Sequence, residues 1–308
     1  MLKIKIGYFA DGPWSHFAFE KLISDPSIEI VFIVPRTDSK DTVLLEFSKK
    51  YGIDYLFPVN INSDSFYFQV QKYKCDLFVS MSFNQIFTKK IFSLPKFETI
   101  NCHAGKLPFY RGRNILNWAL INDEKDFGIT VHYIDEGIDT GDIILQRTYE
   151  ITESDSYNTL LSRAYVYCSE ILYDSIKMIQ NRNAPRIKQN QIHPIGFYVG
   201  RRNKGDEIID WNQTSREIFN FIRSINLPGP QAITFLSNGI EIKINKATLI
   251  ENAPIYKSTI GQILKKDTDK FWVKTKDSFI EISELTFEGK LNVGDKFIKN
   301  YAESNYNS

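Results

Sequence analysis

Thr99 to Leu120 reads TINCHAGKLPFYRGRNILNWAL, and a short charged link further on Gly128 to Gln146 reads GITVHYIDEGIDTGDIILQ. The β-branched and apolar runs Thr99 to Cys102, Ile129 to Ile134 and Ile143 to Gln146 predict strands, and the spacing from Asn114 to Ile121 predicts a helix between them. Upstream the alternation continues, with strands expected at Lys3 to Phe9, Ile28 to Val34 and Leu77 to Met81. Helices are expected at Ser15 to Leu22, Thr42 to Tyr51 and Ser65 to Tyr73. Strand and helix taking turns is the pattern of an α/β domain with a mostly parallel sheet and helices on its faces.

Downstream the period changes. Tyr157, Leu160, Leu161, Ala164, Cys168, Ile171, Leu172 and Ile179 recur at helical spacing behind candidate caps at Ser154 and Asp155, which predicts one long amphipathic helix. The polar stretch Asn181 to Asn190, with Pro185 and Pro194 around it, reads as a linker. Beyond it come a helical segment from Thr214 to Ser224, a break at Leu227 to Pro230, and short strands separated by Asn238-Gly239, Gly261 and Gly289, the rhythm of a small barrel. The expectation is two domains, 1–190 and 191–308.

Charge narrows the partners. Lysine and arginine number 38 against 37 acidic residues, and residues 201–308 carry 16 basic and 14 acidic side chains. A dedicated nucleic-acid or anionic-membrane binder needs a basic footprint that this balance lacks, so a small ligand is favoured. Cys75, Cys102 and Cys168 are too scattered for a disulfide framework or a zinc site, and no metal is expected. The N-terminus lacks an uninterrupted apolar run and no segment approaches the length of a membrane span, so the expected location is the cytoplasm.

Asn101 and His103, two apart at the carboxyl end of a strand, project to one side of it. Open α/β sheets place their ligands beyond that end. Asp139 lies between Gly137 and Gly141, where the backbone can approach a ligand closely. Together they suit acyl transfer to an amine: an amide and an imidazole can donate to an oxygen gaining charge, and a carboxylate can take the proton. By pattern alone such residues are more often a hydrogen-bonded strand pair and a turn aspartate. A cysteine nucleophile at Cys102 is disfavoured, since it faces away from its neighbour His103.

NCHAGKLPFYRGRNILNWALIN followed by GITVHYIDEGIDTGDIILQ resembles the catalytic core of the folate-dependent formyltransferases, in the Asn-x-His pair, the Leu-Pro before Arg-Gly, and the Asp-x-Gly-x-Asp-x-Gly run from Asp135 to Gly141. The second half, RRNKGDEIIDWNQTSREIFNFIRSINLPGPQAITFL, resembles the start of the barrel domain in the tRNA and amino-sugar members. The resemblance implies a Rossmann-like, mostly parallel sheet followed by a smaller β-rich, barrel-like domain. It implies that Asn101 and His103 stabilise the tetrahedral intermediate and that Asp139 is the base. It implies N10-formyltetrahydrofolate, or an N5-formyl analogue, as formyl donor. The pterin is expected between the segment holding Ser82, Phe83, Asn84 and Ile86 and the loop holding Asp135, Gly137 and Ile138. Cys102 departs from the family, where an aliphatic residue is expected.

For the acceptor, Gly12 at a strand-to-helix turn offers an amide to a phosphate, while Trp14, Tyr110, Arg111, Arg113, Arg201 and Arg202 offer rings and charge for a base and a diphosphate. The stretch KLPFYRGRNILNWALIN resembles the amino-sugar branch more than the tRNA branch. The reading is a homodimeric N-formyltransferase acting on a nucleotide-linked amino sugar, dTDP-4-amino-4,6-dideoxyglucose first, in surface-polysaccharide (O-antigen) precursor synthesis. Methionyl-tRNA formyltransferase and formyltetrahydrofolate hydrolase are the alternatives, and a barrel that binds nucleic acid is a non-enzymatic one.

Overall fold

The run IKIGYFA forms β1 (Ile4–Ala10) in the computed structural model, which describes residues 3–39 and 41–299. Every β1 residue except Lys5 is buried, as both faces of a central parallel strand must be. There follow α1 (Gly12–Ile23), β2 (Ile28–Val34), α2 (Thr42–Tyr51), β3 (Asp54–Tyr55), α3 (Asp64–Gln71), β4 (Leu77–Met81), α4 (Lys89–Phe92) and β5 (Thr99–His103). Then come β6 (Arg111–Gly112), α5 (Ile115–Ile121), β7 (Asp126–Tyr133), β8 (Ile143–Glu150), α6 (Tyr157–Gln180), α7 (Gln189–Ile192) and β9 (Tyr198–Val199).

The main sheet has the order β3-β2-β1-β4-β5-β7-β8. Strands β3 to β5 along it are parallel, whereas β7 runs antiparallel to β5 and β8 antiparallel to β7. The order reverses between β1 and β4, so the crevice of this sheet opens beyond Ala10 and Met81. Strand β8 runs four residues past its apolar start, through Arg147 to Glu150, because an edge strand needs only backbone pairing, here with Asp126 to Ile129.

One side of the sheet packs around Phe9, whose ring meets Phe32, Phe66, Phe78, Phe83 and Phe87 at centroid distances of 4.9 to 6.2 Å, all edge-on. Gly7 makes room for this cluster: a Cβ there would lie 2.3 Å from the Phe32 ring and 2.7 Å from that of Phe78. Phe83 and Ile134 pack against the same cluster.

The chain divides into two units. The first comprises the residues up to Ile115 with Asp126–Glu150 and Ser162–Gly200, the second Leu116–Lys125, Ile151–Leu161 and the chain from Arg201 on. The division falls after Gly200 rather than at 190 because β9 pairs with β6 inside the first unit. The second unit adds α8 (Ser215–Ser224), β10 (Ala232–Leu236), β11 (Glu241–Leu249), β12 (Ile263–Asp267), β13 (Lys270–Lys274), β14 (Phe279–Thr286) and β15 (Phe297–Ile298). Its strands form an antiparallel sheet ordered β12-β13-β14-β11-β10-β15, the half-barrel that the glycine-punctuated strands suggested. Thr214 and Glu217 close a capping box at the start of α8, and Ile218, Phe219 and Ile222 of that helix share a core with Ile242, Ile244, Val273, Ile280 and Ile282 of the sheet. Among the described residues no helix is long and apolar enough to cross a membrane.

Candidate active site

Asn101 and His103 lie on β5, one on each side of Cys102, and face the loop that carries Asp139 between β7 and β8. Cys102 turns the other way and is buried, its Sγ 3.7 Å from the carbonyl of Cys168 on α6. The Asn101 amide Nδ2 is 3.5 Å from Asp139 Oδ1, and His103 Nδ1 is 3.7 Å from Asp139 Oδ2. All three are largely buried, with the His103 and Asp139 side chains 9% and 12% exposed.

Backbone groups hold this arrangement. His103 Nε2 lies 2.8 Å from the Tyr110 carbonyl, which can only accept, so the proton of the neutral ring is on Nε2. The nitrogen left for chemistry is Nδ1, and it faces a carboxylate. Tyr110 takes a left-handed backbone (φ 56) and Gly105 packs against the ring edge: a Cβ on Gly105 would lie 2.4 Å from His103 Nε2 and 2.6 Å from the Tyr110 oxygen. Asp139 is itself left-handed (φ 54), and its Oδ2 accepts the Gly112 amide of β6 at 2.9 Å.

A fourth side chain belongs to the group and escaped the sequence reading. His132 stands opposite Asn101 in the β5–β7 register; it is buried, and its Nε2 is 3.3 Å from Asn101 Nδ2 and 3.5 Å from Asp139 Oδ1. Its Nδ1 donates to the Tyr133 carbonyl at 2.8 Å, which leaves a lone pair on Nε2 for the Asn101 amide. An anion at Asp139 repels the Asn101 oxygen, so the amide turns its N–H groups toward His132 and Asp139. The signal was a histidine inside the second quoted motif, but a lone histidine in a strand has no assigned role until its cross-strand partner is known.

Electrostatics keeps Asp139 ionised. Burial alone would push its carboxyl up, but wherever His103 and His132 are protonated their charges, with the His132 hydrogen bond and the Gly112 amide, outweigh it and hold the group well below the usual carboxylate range. Such a carboxylate is a weak base by itself. What it does best is stabilise a proton arriving on His103 Nδ1.

The expected folate segments flank the crevice. Ser82 follows β4 with a left-handed backbone (φ 56), Phe83 joins the Phe9 cluster, and Ile86 is 64% exposed. Asn84 Oδ1 and Gln85 Nε2 are buried with no hydrogen-bond partner among the described residues, while Gln85 Oε1 accepts the Ile61 amide. On the opposing loop, Asp135 Oδ1 accepts from the Gly137 amide and from Thr140 Oγ1, so this carboxylate shapes the loop, and Ile138 at its tip is 53% exposed. Gly137 is tightly seated, since a Cβ there would lie 2.0 Å from Thr140 Oγ1.

The residues expected to hold the acceptor are partnered within the protein or exposed. The Gly12 amide, offered to a phosphate on sequence grounds, donates at 2.6 Å to Asp41, which also receives His16 at 2.7 Å, and the carboxylate of Asp11 lies beside it with Ser39 donating to it. Trp14 packs edge-on against Tyr165 of α6, and Tyr110 is buried against Phe197. Arg111 spends its guanidinium on Gln189 and on the face of Tyr198, whereas Arg113 is exposed. Arg201 opens the second unit and is exposed. Among the described residues no group of three or more His, Cys, Asp or Glu side chains is placed to hold a metal.

Residues 29–176 match the family model described as formyl transferase, and residues 202–301 that of the formyl transferase C-terminal domain. The methionyl-tRNA formyltransferase of Halothermothrix orenii is 32% identical over 297 residues, 92% of either chain, and that of Alkaliphilus oremlandii is 32% identical over 299 residues, 94% of either chain. Among solved structures, a sugar 3N-formyl transferase crystallised with dTDP and 5-N-formyl-THF superposes with a TM-score of 0.70 at 23% identity, over 94% of this chain and all of the other. The N-formyltransferase of Helicobacter canadensis in complex with folinic acid and dTDP-3-aminofucose gives 0.70 at 23% identity, over 93% and 100%. At those identities the structures establish a shared fold.

Proposed function

From the premise that this chain belongs to the formyl transferase family and is a formyltransferase, we propose that it transfers the formyl group of N10-formyltetrahydrofolate to the primary amine of a nucleotide-linked amino sugar, dTDP-4-amino-4,6-dideoxyglucose first. The observation that carries the chemistry is the convergence of Asn101, His103 and Asp139 at one point beside the crevice. Support for a folate donor comes from the segments that flank the Phe9 cluster, the buried polar atoms of Asn84 and Gln85 that lack a partner among the described residues, and the formyl-folates bound in the structural neighbours. A folate bound there supplies the formyl carbon.

The residues then divide the work. The Asn101 amide is only loosely engaged, at 3.3 and 3.5 Å, so one of its N–H groups is free to turn to the formyl oxygen as that oxygen gains charge. As the amine nitrogen bonds to the formyl carbon, His103 receives the amine proton on Nδ1, the nitrogen not committed to Tyr110, and the proton is returned to N10 as the formyl C–N10 bond breaks and tetrahydrofolate leaves. Asp139 stays ionised and stabilises the imidazolium so formed. This revises the expected division: the carboxylate supports the base, and the imidazole takes the proton.

The near balance of charge, net +1 over the chain, favours a small acceptor over a polyanion. Sequence similarity favours methionyl-tRNA instead, because the relatives of 32% identity over more than nine tenths of the chain are methionyl-tRNA formyltransferases. One experiment separates the two: purified protein is incubated with formyltetrahydrofolate and either a panel of nucleotide-linked amino sugars or methionyl-tRNA, and the acceptor is weighed for the gain of one formyl group. Transfer to the sugars is the expected result, with dTDP raising the melting temperature more than UDP or tRNA does. Transfer to methionyl-tRNA alone assigns the tRNA activity, and formate release without an acceptor assigns hydrolysis.

A further inference from the structure

We infer that Gln189, the first residue of α7 in what the sequence presents as a linker, is a positioning residue for the catalytic loop. The residue is 5% exposed, and its side chain uses its whole hydrogen-bonding capacity. The amide Nε2 donates to the Asp139 carbonyl at 2.8 Å and to the Gly141 carbonyl at 2.9 Å. The amide oxygen accepts Arg111 Nε at 3.1 Å and Nη2 at 2.7 Å. Carbonyls only accept and a guanidinium only donates, so the orientation of this amide is unambiguous.

The two ends of Gln189 grip the two elements that between them place Asp139. One end fixes the backbone of Asp139 itself, which sits in the left-handed region and has reason to relax from it (φ 54). The other end fixes Arg111, whose neighbour Gly112 gives its amide to Asp139 Oδ2. The segment is anchored on either side, by the antiparallel bridge between Ile143 and Ile187 and by the pairing of β6 with β9. Gln189 therefore holds the distance between the Asp139 carboxylate and the amide that receives it, and through Asp139 the alignment of His103. Glutamate has the same shape and would keep Arg111, but it has no N–H to give the two carbonyls and would set a negative charge against them.

The inference rests on Asp139 taking part in the reaction proposed above. Its test uses the full chain with Gln189→Glu and Gln189→Met, each checked for an unchanged melting temperature. Hydrogen exchange needs no acceptor: exchange of the Gly112 amide is expected to rise at least about tenfold in both variants. Formyl transfer from formyltetrahydrofolate to dTDP-4-amino-4,6-dideoxyglucose, and to methionyl-tRNA, is expected to lose about ten- to a hundredfold in kcat, the cost of a small misplacement. KM for the folate is expected to stay within about twofold, since a residue that misplaces a reacting group without binding substrate changes kcat and leaves KM alone. Wild-type exchange at Gly112 in both variants overturns the inference whatever the acceptor proves to be, as does wild-type kcat in a variant of an active enzyme. A wild-type protein inactive toward both acceptors overturns the functional reading instead, and the exchange result then decides the positioning role alone.

Discussion

Replacing Asp139 with asparagine removes one charge and almost no volume, which makes it the sharpest probe of the site. At the 3.7 Å between Asp139 Oδ2 and His103 Nδ1, a full imidazolium gains about 4 kcal/mol from the carboxylate at an effective dielectric of about 20. That attraction exists only once His103 has taken the proton, so its loss falls on the transition state and corresponds to about three decades in kcat. The structural cost is smaller. The Gly112 amide, 2.9 Å from Oδ2, can donate to the new amide oxygen, so exchanging a charge-assisted bond for a neutral one costs about 1 to 2 kcal/mol, part of which is offset by no longer burying a charge. Turnover is read by mass gain on the acceptor at saturating formyltetrahydrofolate, with the melting temperature alongside. Asp139→Asn turnover within tenfold of wild type would refute the reasoning. The pH dependence supplies a second check. Asp139 is depressed in the folded protein, so its ionisation stabilises the fold fully above the unfolded carboxyl value of about 3.9 and loses that contribution as pH falls below it. Wild type therefore shows more acid destabilisation below pH ~4 than Asp139→Asn does, and Asp139 contributes no limb to the rate profile between about pH 5 and 9.

Three other perturbations test separate parts of the structure. Asn101→Ala removes the proposed oxyanion donor and is expected to lower kcat by about 10²- to 10³-fold with an unchanged melting temperature; a larger effect on KM than on kcat would count against that role. Gly105→Ala puts a methyl group where His103 meets the Tyr110 carbonyl, 2.4 Å from the ring nitrogen, and is expected to destabilise the first unit by about 1 to 3 kcal/mol and abolish transfer, so wild-type kcat in this variant would show that the His103–Tyr110 contact is dispensable. Thr214→Ala breaks the capping box of α8 and is expected to cost about 1 kcal/mol, seen as a lower melting temperature with normal kcat at 25 °C.

Much of this was legible in the residues. Strands rich in apolar and β-branched residues, such as β2 and β4, match the sequence reading end to end, β4 buried along its whole length and β2 at five of its seven residues. The edge strand β8 outran its signal, since Arg147 to Glu150 pair through the backbone and are free to be polar. The short β6 and β9 carry no pattern at all: two residues cannot express a period, and they exist because two distant segments meet. The same distinction runs through the site. Asn101, His103 and Asp139 could be singled out from the residues only because the motifs around them resemble a known family; their spacing on one strand and the glycines beside Asp139 fit a structural role as well. That Asn101 faces His132 across the sheet, that His103 has its Nε2 bound to Tyr110, and that Gln189 returns from a polar linker to hold Asp139 are consequences of register and long-range closure. The sequence by itself determined an α/β domain with a β-rich partner and the residue types for acyl transfer to an amine. Which nitrogen of His103 faces Asp139, and which backbone keeps Asp139 beside it, only the tertiary structure decided, since both depend on groups far apart in the chain that folding alone brings close together.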